Sequence, residues 1–316
     1  MSATGVPRPN RFRPLDVVLL AIAGLVWGAA FVFIRQGISL GASPLAFASV
    51  RYLLSAVGFA ALAAARRDSF PSRPAVVVSA GIGGVLIIGI YGGFLYWGEQ
   101  YTTGGYAALL SSTIPLLTVT LGFSLLASER LGPRGLLGMG VGFVGTAVLV
   151  FPELLGGSAV GSWKGPLFIL AAMVSTALGT VLLRRLSRGP QGLWQISSQF
   201  TVAGLLLGAA SVALPSSSAL PLTFGVLGNL AILVVFSSLI GYFAYFALHH
   251  RVGPVRANVV AYLGPIVGVG VGSGLYGEPF TLWEIAGVAI VLAGVSLVLW
   301  ESARKSTPGP SPKPAP

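Results

Sequence analysis

SERLGPRGLLGMGVGFVGTAVL (residues 128–149) and GEPFTLWEIAGVAIVLAGVSLVL (residues 277–299) carry one signature twice. In the first run Glu129, Gly138 and Gly145 are spaced by nine and seven residues; Glu278, Gly287 and Gly294 repeat that spacing 149 residues later. Each run approaches the roughly twenty apolar residues that carry a helix across a bilayer core. Prolines supply a second pair: Pro115 and Pro265 lie 150 residues apart, each inside an apolar run, with Ala107 and Ala257 at matching places before them. Further out the match weakens, to Gly24–Arg35 against Ala172–Leu183. A spanning unit of about half the chain therefore occurs twice.

Composition agrees with a membrane solvent. Of 316 residues 54% are hydrophobic and 9% charged, against roughly 25% charged in soluble domains. Such a chain has too little polar surface to cover a soluble body. Glycine is frequent, 44 residues, as in helices that pack closely in lipid. The net charge of +11 sits in short loops, which points to membrane orientation and not to nucleic acid. There is no cysteine, so disulfides and thiolate chemistry are excluded.

Ten apolar runs are legible: 15–35, 44–65, 75–97, 104–127, 134–151, 165–186, 192–214, 222–248, 255–276 and 282–300. The first is read as a retained helix, because no convincing cleavage site follows it. With the N-terminus in the cytoplasm, the inner segments hold sixteen Lys and Arg residues and the outer segments two, Arg35 and Lys164. That bias predicts a multi-pass protein with both termini cytoplasmic. The expected fold is all-α: ten transmembrane helices in two inverted five-helix repeats around a central cavity, since a unit with five crossings must reverse on duplication. The expected divisions are a tail at 1–14, a first repeat at 15–151, an external linker at 152–164, a second repeat at 165–300 and a Pro-rich tail at 301–316.

The stretches Tyr91–Val150 and Phe236–Trp300, with TTGGYAALLSSTIPLLT (102–118) and GPVRANVVAYLGPIVG (253–268), resemble the EamA domain of the drug/metabolite transporter superfamily. Trp27-Gly28 with Arg35, and Arg51-Tyr52-Leu53-Leu54, are similar to the family's first two helices. The resemblance covers nearly the whole chain. It implies a bacterial inner-membrane secondary transporter exporting amino acids or related metabolites; a multidrug or toxic-compound exporter of the same fold is the alternative. Two departures stand out: Arg51 has Ser197 as its counterpart, and the first helix of the second half lacks the tryptophan.

Candidate solute-binding residues fall in three groups. Hydroxyls and an amide stand beside the two prolines: Ser111, Ser112 and Thr113 before Pro115, Asn258 and Tyr262 before Pro265, with Ser175, Thr176 and Thr180 on the sixth span. Two broken helices lining a cavity, or two simple kinks, both fit. Aromatic residues cluster toward the outside (Tyr91, Tyr96, Trp97, Tyr101) and the inside (Tyr242, Tyr245, Phe246), with Trp27 on the first span. Gates and interfacial belts are both open readings. Arg51, roughly 10 Å along its helix from Pro44 at 1.5 Å per residue, snorkels outward, binds an anionic group, or pairs with Glu99. The glycine stripes Gly24/Gly28, Gly138/Gly142, Gly204/Gly208 and Gly264/Gly268/Gly272 read as packing seams or sliding surfaces.

Enzyme chemistry finds no support. His249 and His250 are adjacent and do not share a helix face; Asp16 and Asp68 lie at cytoplasmic edges. No paired carboxylates or phosphate loop appear, which argues against a membrane-embedded lipid-modifying enzyme. No metal and no cofactor is expected. The partners expected are a small solute and the lipid bilayer, with monomer and dimer both open. With no carboxylate or histidine at mid-depth, facilitated diffusion or exchange is expected, Glu99, Glu278 and His249 lying near the edges; Glu99 is the best proton candidate for the alternative, a proton-driven exporter. The walls suit a small zwitterionic or neutral solute.

Overall fold

The computed structural model describes residues 13–125, 133–154, 162–186, 192–214, 220–252 and 260–305. Among them every regular element is helical. Helix α1 spans Pro14–Ser39 and α2 spans Pro44–Ala65. Both start on proline, whose missing N–H costs nothing in the first turn. A longer rod follows: α3 (Arg73–Val78), a π-helical stretch (Ser79–Ile90) and α4 (Tyr91–Gly98). Then come α5 (Gly104–Ser111), α6 (Ile114–Leu125), α7 (Pro133–Leu154), α8 (Lys164–Leu186) and α9 (Leu193–Ala213). A second rod repeats the pattern: α10 (Phe224–Ile232), a π-helical stretch (Leu233–Ile240) and α11 (Gly241–Val252). Helices α12 (Val260–Tyr276) and α13 (Leu282–Lys305) close the chain.

Among the described residues seven helical segments are long and apolar enough to cross a membrane: Pro14–Ser39, Pro44–Ala65, Val76–Gly98, Gly104–Gly122, Lys164–Leu186, Leu193–Ala213 and Phe224–Leu248. Three shorter apolar helices are Pro133–Leu149, Leu263–Tyr276 and Leu282–Leu297. Large apolar side chains such as Val57, Val212 and Leu282 face outward. That arrangement suits lipid as solvent.

Packing pairs the helices in a pattern. α2 lies on α9 and α7 on α13; α1 lies on α12 and α6 on α8; the first π stretch touches α8 and α9, the second touches α1 and α2. Glycines permit the closest approaches. A Cβ on Gly145 would lie 2.9 Å from the Gly287 carbonyl oxygen, and one on Gly294 would lie 2.6 Å from that of Gly138. One on Gly28 would meet the Gly264 carbonyl oxygen at 2.7 Å. These seams gain dispersion that bulkier residues would forfeit. The Gly264 stripe is less uniform: a Cβ there would meet only Ser111 Oγ, at 3.9 Å.

The two prolines act differently. The fourth apolar run breaks at Ser112–Thr113, between α5 and α6. The N–H groups of Ser112 and Thr113 turn back three residues, to the carbonyls of Leu109 and Leu110. Helix α12 instead runs through Pro265, so the expected second helix break is corrected. Pro115 follows three hydroxyl residues able to satisfy freed carbonyls, whereas Leu263 and Gly264 immediately before Pro265 carry none.

Candidate functional site

Arg51 sits in the second turn of α2 with 8% of its surface exposed. It does not snorkel. Its Nη1 donates to the Tyr96 hydroxyl at 2.8 Å and its Nη2 to Ser237 Oγ at 2.9 Å. The guanidinium carbon lies 5.5 Å from the centre of the Tyr52 ring. Its Nε is buried without a partner. Of the alternatives open for it, pairing with Glu99 is not seen either: among the described residues the ion pair joins Arg251 to Asp16, at the far end of the bundle. Arg51 is thus a buried cation held by neutral groups.

Ser237 is the node of this site. It lies on the second π stretch; its hydroxyl receives Arg51, and its carbonyl accepts from Trp27 Nε1 at 3.0 Å. The first π stretch has a parallel feature, the Leu86 carbonyl accepting from Ser175 Oγ at 2.8 Å. Trp27 and Ser175 are 148 residues apart, so Ser175 fills the structural place of the tryptophan missing from the second half. Extended π-helix is rare and frequently marks functional positions.

The aromatic residues form one chain across the core. Tyr96 is 6.3 Å from Tyr52, Tyr52 5.6 Å from Phe200, Phe200 5.4 Å from Tyr242, and Tyr242 5.6 Å from Trp27, centre to centre. Tyr245 lies 5.1 Å from Trp27. Tyr96 is fully buried, and Tyr91, Trp97 and Tyr242 pack on the core from part-buried positions. An interfacial belt therefore does not describe Tyr96. Phe200 and Ser237 were not singled out from sequence, and Tyr52 only within the run Arg51-Tyr52-Leu53-Leu54; Ser237 is an ordinary serine in an apolar run. Gly92 makes room for the Tyr52 hydroxyl, which a Cβ there would strike.

The candidate hydroxyls commit their protons to backbone carbonyls. Ser111, Ser112 and Thr113 donate to the carbonyls of Ala108, Leu109 and Leu110 in their own helix, at 2.6, 2.7 and 2.8 Å. Thr180 donates to the Thr176 carbonyl. These donors repair the proline break or close their own turns, as Ser and Thr do in apolar helices. Asn258 lies outside the described residues, as do the side chains of His249 and Tyr262.

Two carboxyl groups mark the other end. Glu278 accepts from the N–H groups of Gly104 and Gly105, at 3.0 and 2.8 Å, so it caps the N-terminus of α5. This position suits a negative charge. Glu99 follows α4, one residue beyond the apolar segment Val76–Gly98. It is 0% exposed, and neither carboxyl oxygen has a hydrogen-bond partner. No cluster of three metal-ligating side chains occurs among the described residues.

Comparison with known proteins places this arrangement. The uncharacterized inner membrane transporter YedA of Escherichia coli K12 is 31% identical over 293 residues, covering 91% of this chain and 92% of its own. A probable amino-acid metabolite efflux pump of Salmonella typhimurium is 27% identical over 293 residues, covering 89% and 93%. A solved structure titled only as the crystal structure of a protein has the same fold, with a TM-score of 0.62 at 20% identity over 91% of this chain and 98% of that one. The EamA-like transporter family matches residues 15–151 and again 163–300. This chain belongs to the EamA-like transporter family and is a membrane transporter, not an enzyme.

Proposed function

We propose that this protein moves small solutes bearing a carboxylate, amino acids first, out across a bacterial inner membrane by alternating access. The observation that carries the reading is Arg51. A guanidinium inside an apolar bundle is costly unless it is paired. Its partners here are two neutral hydroxyls, and Nε has none. A solute carboxylate replaces neutral hydrogen bonds by charge-assisted ones, roughly twice as strong. The aromatic chain beside it offers faces to the solute's apolar part. The Salmonella relative's name, a probable amino-acid metabolite efflux pump, supports the same class.

In this reading the seven long and three shorter apolar helices make ten crossings, in two inverted halves with both termini cytoplasmic. The paired packing of α2 with α9, α7 with α13, and α1–α12 with α6–α8 supports a two-fold relation. Inverted halves with a site between them are a recurring transporter plan. The aromatic chain also favours a second reading, a neutral amphipathic compound as the cargo.

Counterflow in proteoliposomes separates the two. Amino acids are expected to exchange, and neutral amphipaths and nucleotide sugars to exchange weakly. Robust exchange of amphipaths or nucleotide sugars without amino-acid exchange overturns the proposal.

A further inference from the structure

Asp16 and Arg251 tie two helices together at the end of the bundle where the chain begins. Asp16 lies in the first turn of α1 and Arg251 near the end of α11, and Arg251 Nε donates to Asp16 Oδ1 at 2.5 Å. The Asp16 side chain is 5% exposed and that of Arg251 36%. The second carboxylate oxygen, Oδ2, accepts from the Arg13 N–H at 2.9 Å, so Asp16 also closes the start of its own helix. Ala23, Ala244, Leu248 and Val260 form a small apolar cluster between the same helices, separate from the main core. Contacts at this end can therefore part while the main core stays packed.

The repeat supplies a counterpart to this contact. Lys164 follows Asp16 by 148 residues and Arg251 follows Tyr101 by 150, the offsets that relate the two halves. Lys164 begins α8, and its ammonium lies 5.8 Å from the centre of the Tyr101 ring, in the turn beyond α4. α11 packs on α1, and α4 packs on α8. Equivalent places therefore hold an ion pair in one case and a cation over a neutral ring in the other. Opposite charges in contact attract more strongly than an exposed ammonium and a ring face.

We propose that the Asp16–Arg251 pair is a latch that keeps the cytoplasmic end shut, and that the weaker Lys164–Tyr101 contact lets the external end open first. This rests on the reading of alternating access with the N-terminus in the cytoplasm. The resting protein then favours the outward-facing arrangement, and loading from the cytoplasm requires the ion pair to separate. Each charge also suits its own helix end, the acid at the start of α1 and the base at the end of α11. Such local roles act within one helix and add. A latch needs both partners, so its loss registers once.

The test uses the full chain in sealed membrane vesicles of both orientations, labelled with a membrane-impermeant maleimide. The chain has no cysteine of its own. Ala23→Cys, in the small cluster, reports the cytoplasmic end, and Thr102→Cys, 1% exposed beside Gly165, reports the external end. Asp16→Asn and Arg251→Gln are each expected to raise cytoplasmic labelling at Ala23→Cys at least about fivefold, the most that exposed ion pairs supply. Both are expected to lower external labelling at Thr102→Cys. The double variant is expected to match either single one. Effects that multiply in the double variant reduce the two charges to helix caps and overturn the latch, and unchanged labelling overturns it as well. Lys164→Gln is expected to have the smaller effect; an equal or larger one overturns the asymmetry. Where Asp16→Asn does not insert, Arg251→Gln and Arg251→Lys decide. Raised labelling with glutamine and near-wild-type labelling with lysine supports the latch, and any other pattern overturns it. Labelling needs no solute, so failure of amino-acid counterflow counts against the Arg51 reading and not against the latch.

Discussion

Ser49 and Ser197 bind each other's helix reciprocally: Ser49 Oγ donates to the Gly204 carbonyl at 2.8 Å, and Ser197 Oγ donates to the Ala56 carbonyl at 2.9 Å. Donors and acceptors alike are offset by 148 residues. The relation aligns Ser197 with Ser49, so the counterpart of Arg51 is Gln199 and not Ser197. Gln199 Nε2 donates to Ser79 Oγ on the first π stretch at 2.6 Å, much as Arg51 reaches Ser237 on the second. A neutral amide in one half and a cation in the other make the proposed two-fold inexact where a solute would bind.

Ser49→Ala and Ser197→Ala are expected to cost equally. Interhelical hydrogen bonds in membranes average about 0.6 kcal/mol. The double variant is expected to lose the sum, because the bonds share no partner. Reversible unfolding in mixed micelles measures this. A clear inequality between the two single variants speaks against equivalent roles.

Topology follows from the charge distribution. Reporter fusions after Pro74, Arg134, Arg188 and Pro254 are expected to read cytoplasmic, and fusions near Gly41, Gly156 and Ser217 external. One reversed internal loop breaks the ten-crossing arrangement, because every later crossing inverts with it.

Arg51 is expected to be indispensable and not replaceable by lysine. Hydrogen bonds to a charged group contribute roughly 1.5–3 kcal/mol, about ten- to a hundredfold in kcat/KM. Arg51→Ala is expected to lose that much for amino acids while membrane insertion persists. Arg51→Lys keeps the charge but loses the planar fork that serves Tyr96 and Ser237 together, so it is expected to stay well below wild type. Proteoliposome uptake that separates KM from kcat decides, and wild-type kinetics in either variant removes Arg51 from the site.

The prolines are now expected to differ. Pro115→Ala restores a backbone donor at a break already closed by hydroxyls, and is expected to change the transport rate. Pro265→Ala sits inside a continuous helix, and is expected to leave the rate within about twofold, the equivalent of roughly 0.4 kcal/mol. A larger effect at Pro265 than at Pro115 contradicts this ordering.

What could be read from sequence divides along a physical line. Apolar runs such as 44–65 and 192–214 were legible because a bilayer demands length and hydrophobicity, and α2 and α9 occupy those positions. Glycine seams were legible because only a missing Cβ permits contacts such as Gly28 against Gly264. Side-chain commitments were not. Ser111 and Ser237 are equally plain serines in apolar surroundings, yet one bonds its own turn and the other receives Arg51. The π stretches were also hidden, since widening a turn by one residue changes neither composition nor hydropathy.

Those π stretches carry the last prediction. Each presents a carbonyl to a donor on a neighbouring helix, Ser237 to Trp27 and Leu86 to Ser175. Such latches hold a wide-turn segment in place, and a wide turn able to relax toward ordinary α-helix is a natural place for rotation during alternating access. Trp27→Phe keeps the ring against Tyr242 and Tyr245 but removes the donor; Ser175→Ala removes its equivalent. Both are expected to insert normally, to speed amide exchange over 233–240 and 79–90 respectively, and to change the transport rate by at least threefold. A net hydrogen bond of about 1 kcal/mol corresponds to roughly fivefold in a conformational equilibrium. Hydrogen exchange read by mass spectrometry resolves the two segments. Faster exchange at the wrong segment, or at neither, shows that these bonds do not hold the π stretches.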